Sequence, residues 1–362
     1  MDNFQRIGFI WFRFVCIGNV YFSFFDSIEI NTNTQRKGTM SKLSNTQKII
    51  ANILANVHKK KWECVLDGCH ENAINSHLLQ QNGILDNVSV NGHLIEYKPI
   101  DPFRWGSNSF PFEMKRIGKK NAFSLPLFCN GHDTSIFKEI ETLPLNLELY
   151  RCHLLLSYRV VCAEIRKKQI NVEEFSRILK AESLKGEINL DLIKSTREDY
   201  NQGIKDLEVY KMIFETELKN QSSRFTFKVY KYPFLDIYGS AVFSPIDFSV
   251  VNTRKIKVLN SMFIHVVPYD GQTNIIVGYC NKYSDKWIRN YCNSWLDLDQ
   301  ETFERKLTKL FAAHIENWGM SPDLLEEIKD ENLQRFKEYT FKNVYNHSPF
   351  QIVDFNLFEY DD

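Results

Sequence analysis

The chain has 362 residues, and its 45 Lys+Arg balance 45 Asp+Glu, giving a formal net charge of zero. At about 100–200 residues per domain the length points to two or three domains, with enough chain to bury a core without disulfides. Zero net charge excludes an overall basic nucleic-acid coat and an acidic tail protein, though not a local patch. Eight cysteines are too sparse for a disulfide scaffold.

Residues 7–25, IGFIWFRFVCIGNVYFSFF, form the most apolar run. Three readings of it stay open. As a membrane-associated segment it has the length to span, but Arg13 and Asn19 interrupt it. As a secretory signal it lacks a small-residue cleavage site in SFFDSIEI. As an extension ahead of a start at Met40, residues 1–39 stand outside the native fold and the protein is cytoplasmic. The alternative location is at a membrane, through residues 7–25.

Residues 40–61 place Ile49, Ile50, Ile53, Leu54 and Val57 at helical spacing, closed by the basic run His58–Lys61. Residues 62–143 hold Cys pairs, Gly and Pro turns and short apolar runs, and read as a compact, loop-rich module. Residues 144–221 return to helical pattern over 145–182 and 190–219. In the second stretch Ile193, Tyr200, Ile204, Leu207, Phe214 and Leu218 form a stripe, interrupted by Arg197 and Lys211. Residues 222–362 carry a sheet and closing helices. FTFKVYKY alternates with period two, and LDIYGSAVF, KVLNSMFIHVVPY and TNIIVGYC are strand-like. Asp270-Gly271 marks a hairpin turn. Residues 301–318 and 322–340 read as helices. The expected fold class is α+β, with a small metal module, a helical region and a mainly antiparallel sheet.

Two ligand pairs stand out. Cys64 and Cys69 lie in WECVLDGCHEN, and Cys129 and His132 in LPLFCNGHDTS. Cys-x2-His wraps two donors around one turn, within reach of one tetrahedral ion, and thiolate with imidazole selects zinc. Gly68 and Gly131 let the chain curl towards the ion. The bland alternative is four unrelated residues, since a free Cys is often a small buried hydrophobe. Cys152, Cys162, Cys280 and Cys292 read as that kind of residue. Four protein ligands make a closed, structural zinc site, so chemistry would need other groups. His77, in AINSHLLQ between the ligand pairs, is the first candidate, and Asp133, beside His132, the second. His70 and His93 are weaker, although His70 could replace a cysteine as ligand. His265 and His314 read as packing residues.

The order Cys-x4-Cys, then Ser-His, then a long insertion, then Cys-x2-His-Asp resembles the zinc-knuckled HNH endonuclease module. The likeness covers roughly residues 62–140. It implies a treble-clef arrangement, Cys64, Cys69, Cys129 and His132 as knuckle ligands, and His77 as the general base of phosphodiester hydrolysis. It also implies Asp133 as an oxygen ligand for Mg²⁺ or another divalent cation. Ser76 stands where that family prefers an acidic residue, and Ser124 near its central asparagine. The segment is also similar to uncharacterised bacterial proteins with the same ligand order followed by a helical and sheet-rich half.

Nucleic acid is one expected partner. The basic clusters His58–Lys61 and Lys115–Lys120 flank the module, with Phe103, Trp105 and Phe110 nearby. The plainer reading of these clusters is a solvated charged loop. A second hypothesis is a non-catalytic, zinc-stabilised interaction protein with a protein partner. In that case the His77 ring donates to a backbone carbonyl inside the fold.

Overall fold

The computed structural model describes residues 45–100, 110, 112–244, 258–342 and 353–359. Residues 7–25, Met40, Phe103 and Trp105 lie outside the described residues. The fold is mixed α and β. Its helices are α1 (Asn45–His58), α2 (Asn130–Glu141), α3 (Tyr150–Lys180), α4 (Leu190–Asn220), α5 (Lys286–Asn293), α6 (Gln300–Ala313), α7 (Pro322–Glu327) and α8 (Asp330–Lys342). Strands β1 (Asn75–His77) and β4 (Ser124–Pro126) pair antiparallel as a small sheet. Strands β2 (His93–Pro99), β3 (Phe112–Gly118), β5 (Phe225–Pro233), β6 (Ile237–Phe243), β7 (Met262–Tyr269), β8 (Gln272–Cys280) and β9 (Trp318–Met320) build a seven-stranded sheet of order β3-β2-β9-β6-β7-β8-β5. Every pairing described in it is antiparallel.

The central strands alternate, but they bury both faces. On β6 and β7, Tyr238, Val242, Phe263 and Val267 pack with α3 and α4. Their neighbours Ile237, Ala241, Phe243, Met262, Ile264 and Val266 pack with residues of α5, α6, α7 and α8. The sheet is thus the middle of three layers, which explains why these strands read as apolar runs rather than as polar–apolar alternation. The turn between β7 and β8 is the one the Asp-Gly pair marks: Asp270 and Gly271 both have positive φ, 54° and 66°, and Tyr269 pairs directly with Gln272.

The structure departs from the sequence pattern in three places. The insertion between the two ligand pairs is not only loop, because it supplies β2 and β3. The pattern of residues 301–318 suggests continuous helix, yet α6 stops at Ala313 and Trp318–Met320 form β9. Residues 322–340 form two helices, with the chain extended at Ile328 (φ −66°, ψ 128°), which buries that side chain.

β9 carries more than its length suggests. Ile95 and Glu96 of β2 pair with Met320 and Gly319 on one side, while Ile237, Tyr238 and Gly239 of β6 pair with Met320, Gly319 and Trp318 on the other. Three residues therefore join the β2–β3 hairpin to the C-terminal strands. Cys64, Leu79, Phe128, Phe137, Tyr158 and Phe263 share one apolar cluster, so the segments around the ligand pairs pack on the same core as the sheet.

At Gly319 there is no room for a side chain. A Cβ there would run into the Ile95 carbonyl oxygen and the Tyr238 hydroxyl. Gly319→Ala is expected to push β9 off its neighbours and cost about 1–3 kcal/mol, as overpacking does, read as a lower urea midpoint at unchanged slope.

His265 of β7 is fully buried between two serines, with Ser157 Oγ of α3 at 3.0 Å from Nε2 and Ser240 Oγ of β6 at 2.7 Å from Nδ1. Burial, with His153 adding to it, pulls its pKa down to about 3. The unfolded chain binds this proton near pH 6.5 and the folded chain does not, so the stabilisation is complete above about pH 6.5 and is lost as pH falls towards 3. Between pH 7 and pH 5 this group alone should remove about 2 kcal/mol. His265→Gln should flatten that part of a urea-stability profile.

Candidate metal centre

The first ligand pair sits on a turn held by backbone hydrogen bonds. Cys64 N–H donates to the Glu71 carbonyl at 2.9 Å, Cys69 N–H to the Leu66 carbonyl at 3.1 Å, and Val65 N–H to the Leu127 carbonyl at 2.9 Å. Gly68 between them has φ +76°, the left-handed conformation that glycine adopts without strain. The second pair opens α2. Cys129 is the N-cap residue and His132 lies in the first helical turn, so both side chains face one point at the helix start. The knuckle, β1, its partner β4 and the start of α2 thus follow in chain order, with β2 and β3 inserted between β1 and β4.

These elements bring together the four residues that the sequence pairs. The donor atoms of Cys64, Cys69, Cys129 and His132 all lie within 4.8 Å of one another. Cys69 Sγ is 3.9 Å from Cys129 Sγ, and His132 Nδ1 is 3.5 Å from Cys64 Sγ and 3.1 Å from Cys129 Sγ. A tetrahedral ion with metal–sulfur bonds of about 2.3 Å and metal–nitrogen bonds of about 2.0 Å needs edges of roughly 3.8 Å and 3.5 Å. Two of the three measured edges meet that geometry, and the third is a few tenths of an ångström short. The cluster could hold a metal ion such as zinc.

Three cations of α3 and α4 hold the segments that carry these residues. Arg166 of α3 donates to the Glu63 carbonyl and stacks on Trp62 with its guanidinium 4.9 Å from the ring centroid. Burial pulls the Arg166 pKa down to about 10, with Cys64, Cys162 and Glu63 acting the other way, so it stays charged at neutral pH. Lys211 of α4 pairs with Asp67 at 3.3 Å and Glu215 at 2.8 Å. Burial opposes its charge, but the carboxylates outweigh burial and its pKa rises. Arg159 of α3 is buried against the Phe137 ring, 4.0 Å from its centroid, and donates to Glu141 Oε1 at 2.6 Å. The pattern of two ligand pairs does not reveal these residues. Their signal is weaker: Arg159 and Arg166 are seven apart on one helix face, and Lys211 breaks the apolar stripe of α4.

The other site candidates have separate partners. The His77 ring, half-buried at the end of β1, places Nε2 3.2 Å from the Lys119 carbonyl. Asp133 lies in the first turn of α2, its Oδ1 4.0 Å from the Arg159 guanidinium. No hydrogen bond or ion pair joins His77 to Asp133 among the described residues. His70 is exposed and pairs with Glu63 at 3.3 Å, outside the cluster, and the exposed face of His93 reaches the Asn91 carbonyl at 2.8 Å. Of the basic clusters, Lys115, Arg116 and Lys120 are exposed, while Lys119 pairs with Asp86. Among the described residues no helix is long and apolar enough to cross a membrane.

No protein family, curated protein or solved structure matches the chain.

Because Arg166 fixes the turn that carries Cys64 without being a ligand, Arg166→Met is expected to keep the metal but loosen it. Extraction by a competing chelator should speed up about 10-fold, the usual scale for groups that orient ligands.

Proposed function

We propose that Cys64, Cys69, Cys129 and His132 form a structural zinc centre, and that the protein acts as a non-catalytic, zinc-stabilised interaction protein. The observation that carries this reading is the complete donor set. Three thiolates and one imidazole would fill all four corners of a tetrahedral site, which leaves no open position for a substrate or a reactive water. When bound, the ion would supply a cross-link between the knuckle and α2. The surrounding residues favour the same reading. The His77 ring donates to the Lys119 carbonyl, which holds it inside the fold. Asp133 faces a buried guanidinium, and a fixed positive charge at 4.0 Å opposes a divalent cation at that carboxylate.

A second reading, metal-dependent phosphodiester hydrolysis by an HNH-like module, has one specific support. A knuckle, an antiparallel strand pair and a helix in that chain order are what the likeness to that module would lead one to expect, and His77 ends β1. With Nε2 donating to a carbonyl, Nδ1 is the acceptor nitrogen of the neutral ring, the state a general base needs. The exposed Lys115, Arg116 and Lys120 would then face nucleic acid.

Metal analysis and a cleavage assay separate the two. The full chain, Cys129→Ser and His77→Ala are each incubated with Mg²⁺ and supercoiled DNA, linear DNA or single-stranded RNA. The expected result is about one zinc per chain in wild type and His77→Ala, none in Cys129→Ser, and no cleavage by any of them. Cleavage by wild type that His77→Ala abolishes would overturn the structural reading in favour of the hydrolase.

A further inference from the structure

The four donors of the metal centre are not equally sheltered. Cys64 and Cys129 are buried, at 7% and 3% exposure, whereas Cys69 is partly open and sits between exposed Gly68 and exposed His70. Its sulfur is 3.9 Å from that of Cys129. The remaining described cysteines contrast with it. Cys152, Cys162 and Cys292 are buried in apolar surroundings, and burial pushes each thiol up to about 12. Burial raises Cys280 as well. Those four thiols are shielded from solvent, and structural buried cysteines are inert to oxidants.

We propose that Cys69 is a peroxide-oxidation site and that Cys129 resolves it, so that oxidation replaces the metal cross-link with a Cys69–Cys129 disulfide. This rests on the zinc reading above, because a metal-ligating cysteine is held as the thiolate. In the first step Cys69 Sγ attacks one oxygen of hydrogen peroxide. The O–O bond breaks, hydroxide leaves and is protonated to water, and Cys69 becomes a sulfenic acid. In the second step Cys129 Sγ attacks the Cys69 sulfur. The S–O bond breaks, a second hydroxide leaves and is protonated, and the S–S bond forms. Two thiolates have lost two electrons in total, and one peroxide has become two waters. Cys64 and His132 then remain as the only donors, two short of a tetrahedral set, so the ion is released. The new bond joins the same two segments, the knuckle and the start of α2, so the fold keeps its cross-link while it loses its metal.

The test uses the full chain as purified, treated with hydrogen peroxide. A chromogenic chelator follows metal release, a thiol reagent counts free cysteines, and peptide mapping by mass spectrometry locates the disulfide. Cys16, outside the described residues, is followed as its own peptide. The expected result is one metal released for each pair of thiols lost, a Cys69–Cys129 linked peptide, and retention of far-UV circular dichroism. Cys69→Ser should lose the disulfide, and Cys152→Ser should behave as wild type. Metal present with no disulfide formed, or a disulfide through Cys64 instead, overturns the proposal and leaves the zinc reading intact. A chain that holds no metal yet still forms the Cys69–Cys129 bond overturns the zinc reading and keeps the thiol pair.

Discussion

Helix α3 has to bury charge, and much of the structure is arranged around that requirement. Every residue from Cys152 to Lys168 is buried, including Arg159, Glu164, Arg166, Lys167 and Lys168. An unpaired buried charge costs several kcal/mol, and breaking such a pair commonly costs about 3–5 kcal/mol. Each of these cations therefore needs a partner, and the partners come from different parts of the chain. Arg159 takes Glu141 at the end of α2, and Arg166 takes the Glu63 carbonyl of the knuckle. Lys167 takes Glu316 at 2.7 Å and Asn317 at 3.4 Å, just before β9. Lys168 takes Glu164 at 3.2 Å, one turn earlier on the same helix. One helix thus fixes the knuckle, the ligand-bearing helix α2 and the approach to the bridging strand.

The metal centre and the sheet are coupled through the same helix. The knuckle docks on α3 and α4 through Arg166 and Lys211, and α3 in turn lies on β6 and β7, where Ser157 meets His265. β9 then closes the sheet between β2 and β6. The β2–β3 hairpin belongs by sequence to the insertion between the ligand pairs, and by pairing to the large sheet. The candidate ligands therefore lie at both ends of a segment whose middle is a structural part of the main fold.

Much of the local structure was legible because its cause is local. The Asn189 side chain caps α4 by accepting from Leu192 N–H at 3.0 Å, and the stripe from Ile193 to Leu218 faces the core. Asp270-Gly271 makes its turn from its own backbone preference. The ligand pairs were legible for the same reason, since Cys-x2-His at a helix start sets its own geometry. β9 was not legible: three residues, Trp-Gly-Met, carry no period, and they are a strand only because β2 and β6 stand on either side with hydrogen-bonding groups to satisfy. β2 and β3 were hidden inside a stretch whose cysteines, glycines and prolines suggested loop.

By itself the sequence determined the helices over α1, α3 and α4, the Asp270-Gly271 turn, the four candidate ligands and the period-two strand β5, because each depends on residues within a turn or two of one another. Tertiary structure alone decided which sheet those strands enter, that its centre is buried on both faces, and that Arg159, Arg166 and Lys211 pair with the segments that carry the donors. It also decided that His77 meets the Lys119 carbonyl and that Asp133 meets Arg159. Those outcomes follow from charge pairing and backbone hydrogen bonding between segments far apart in the chain, and no local pattern encodes such partners.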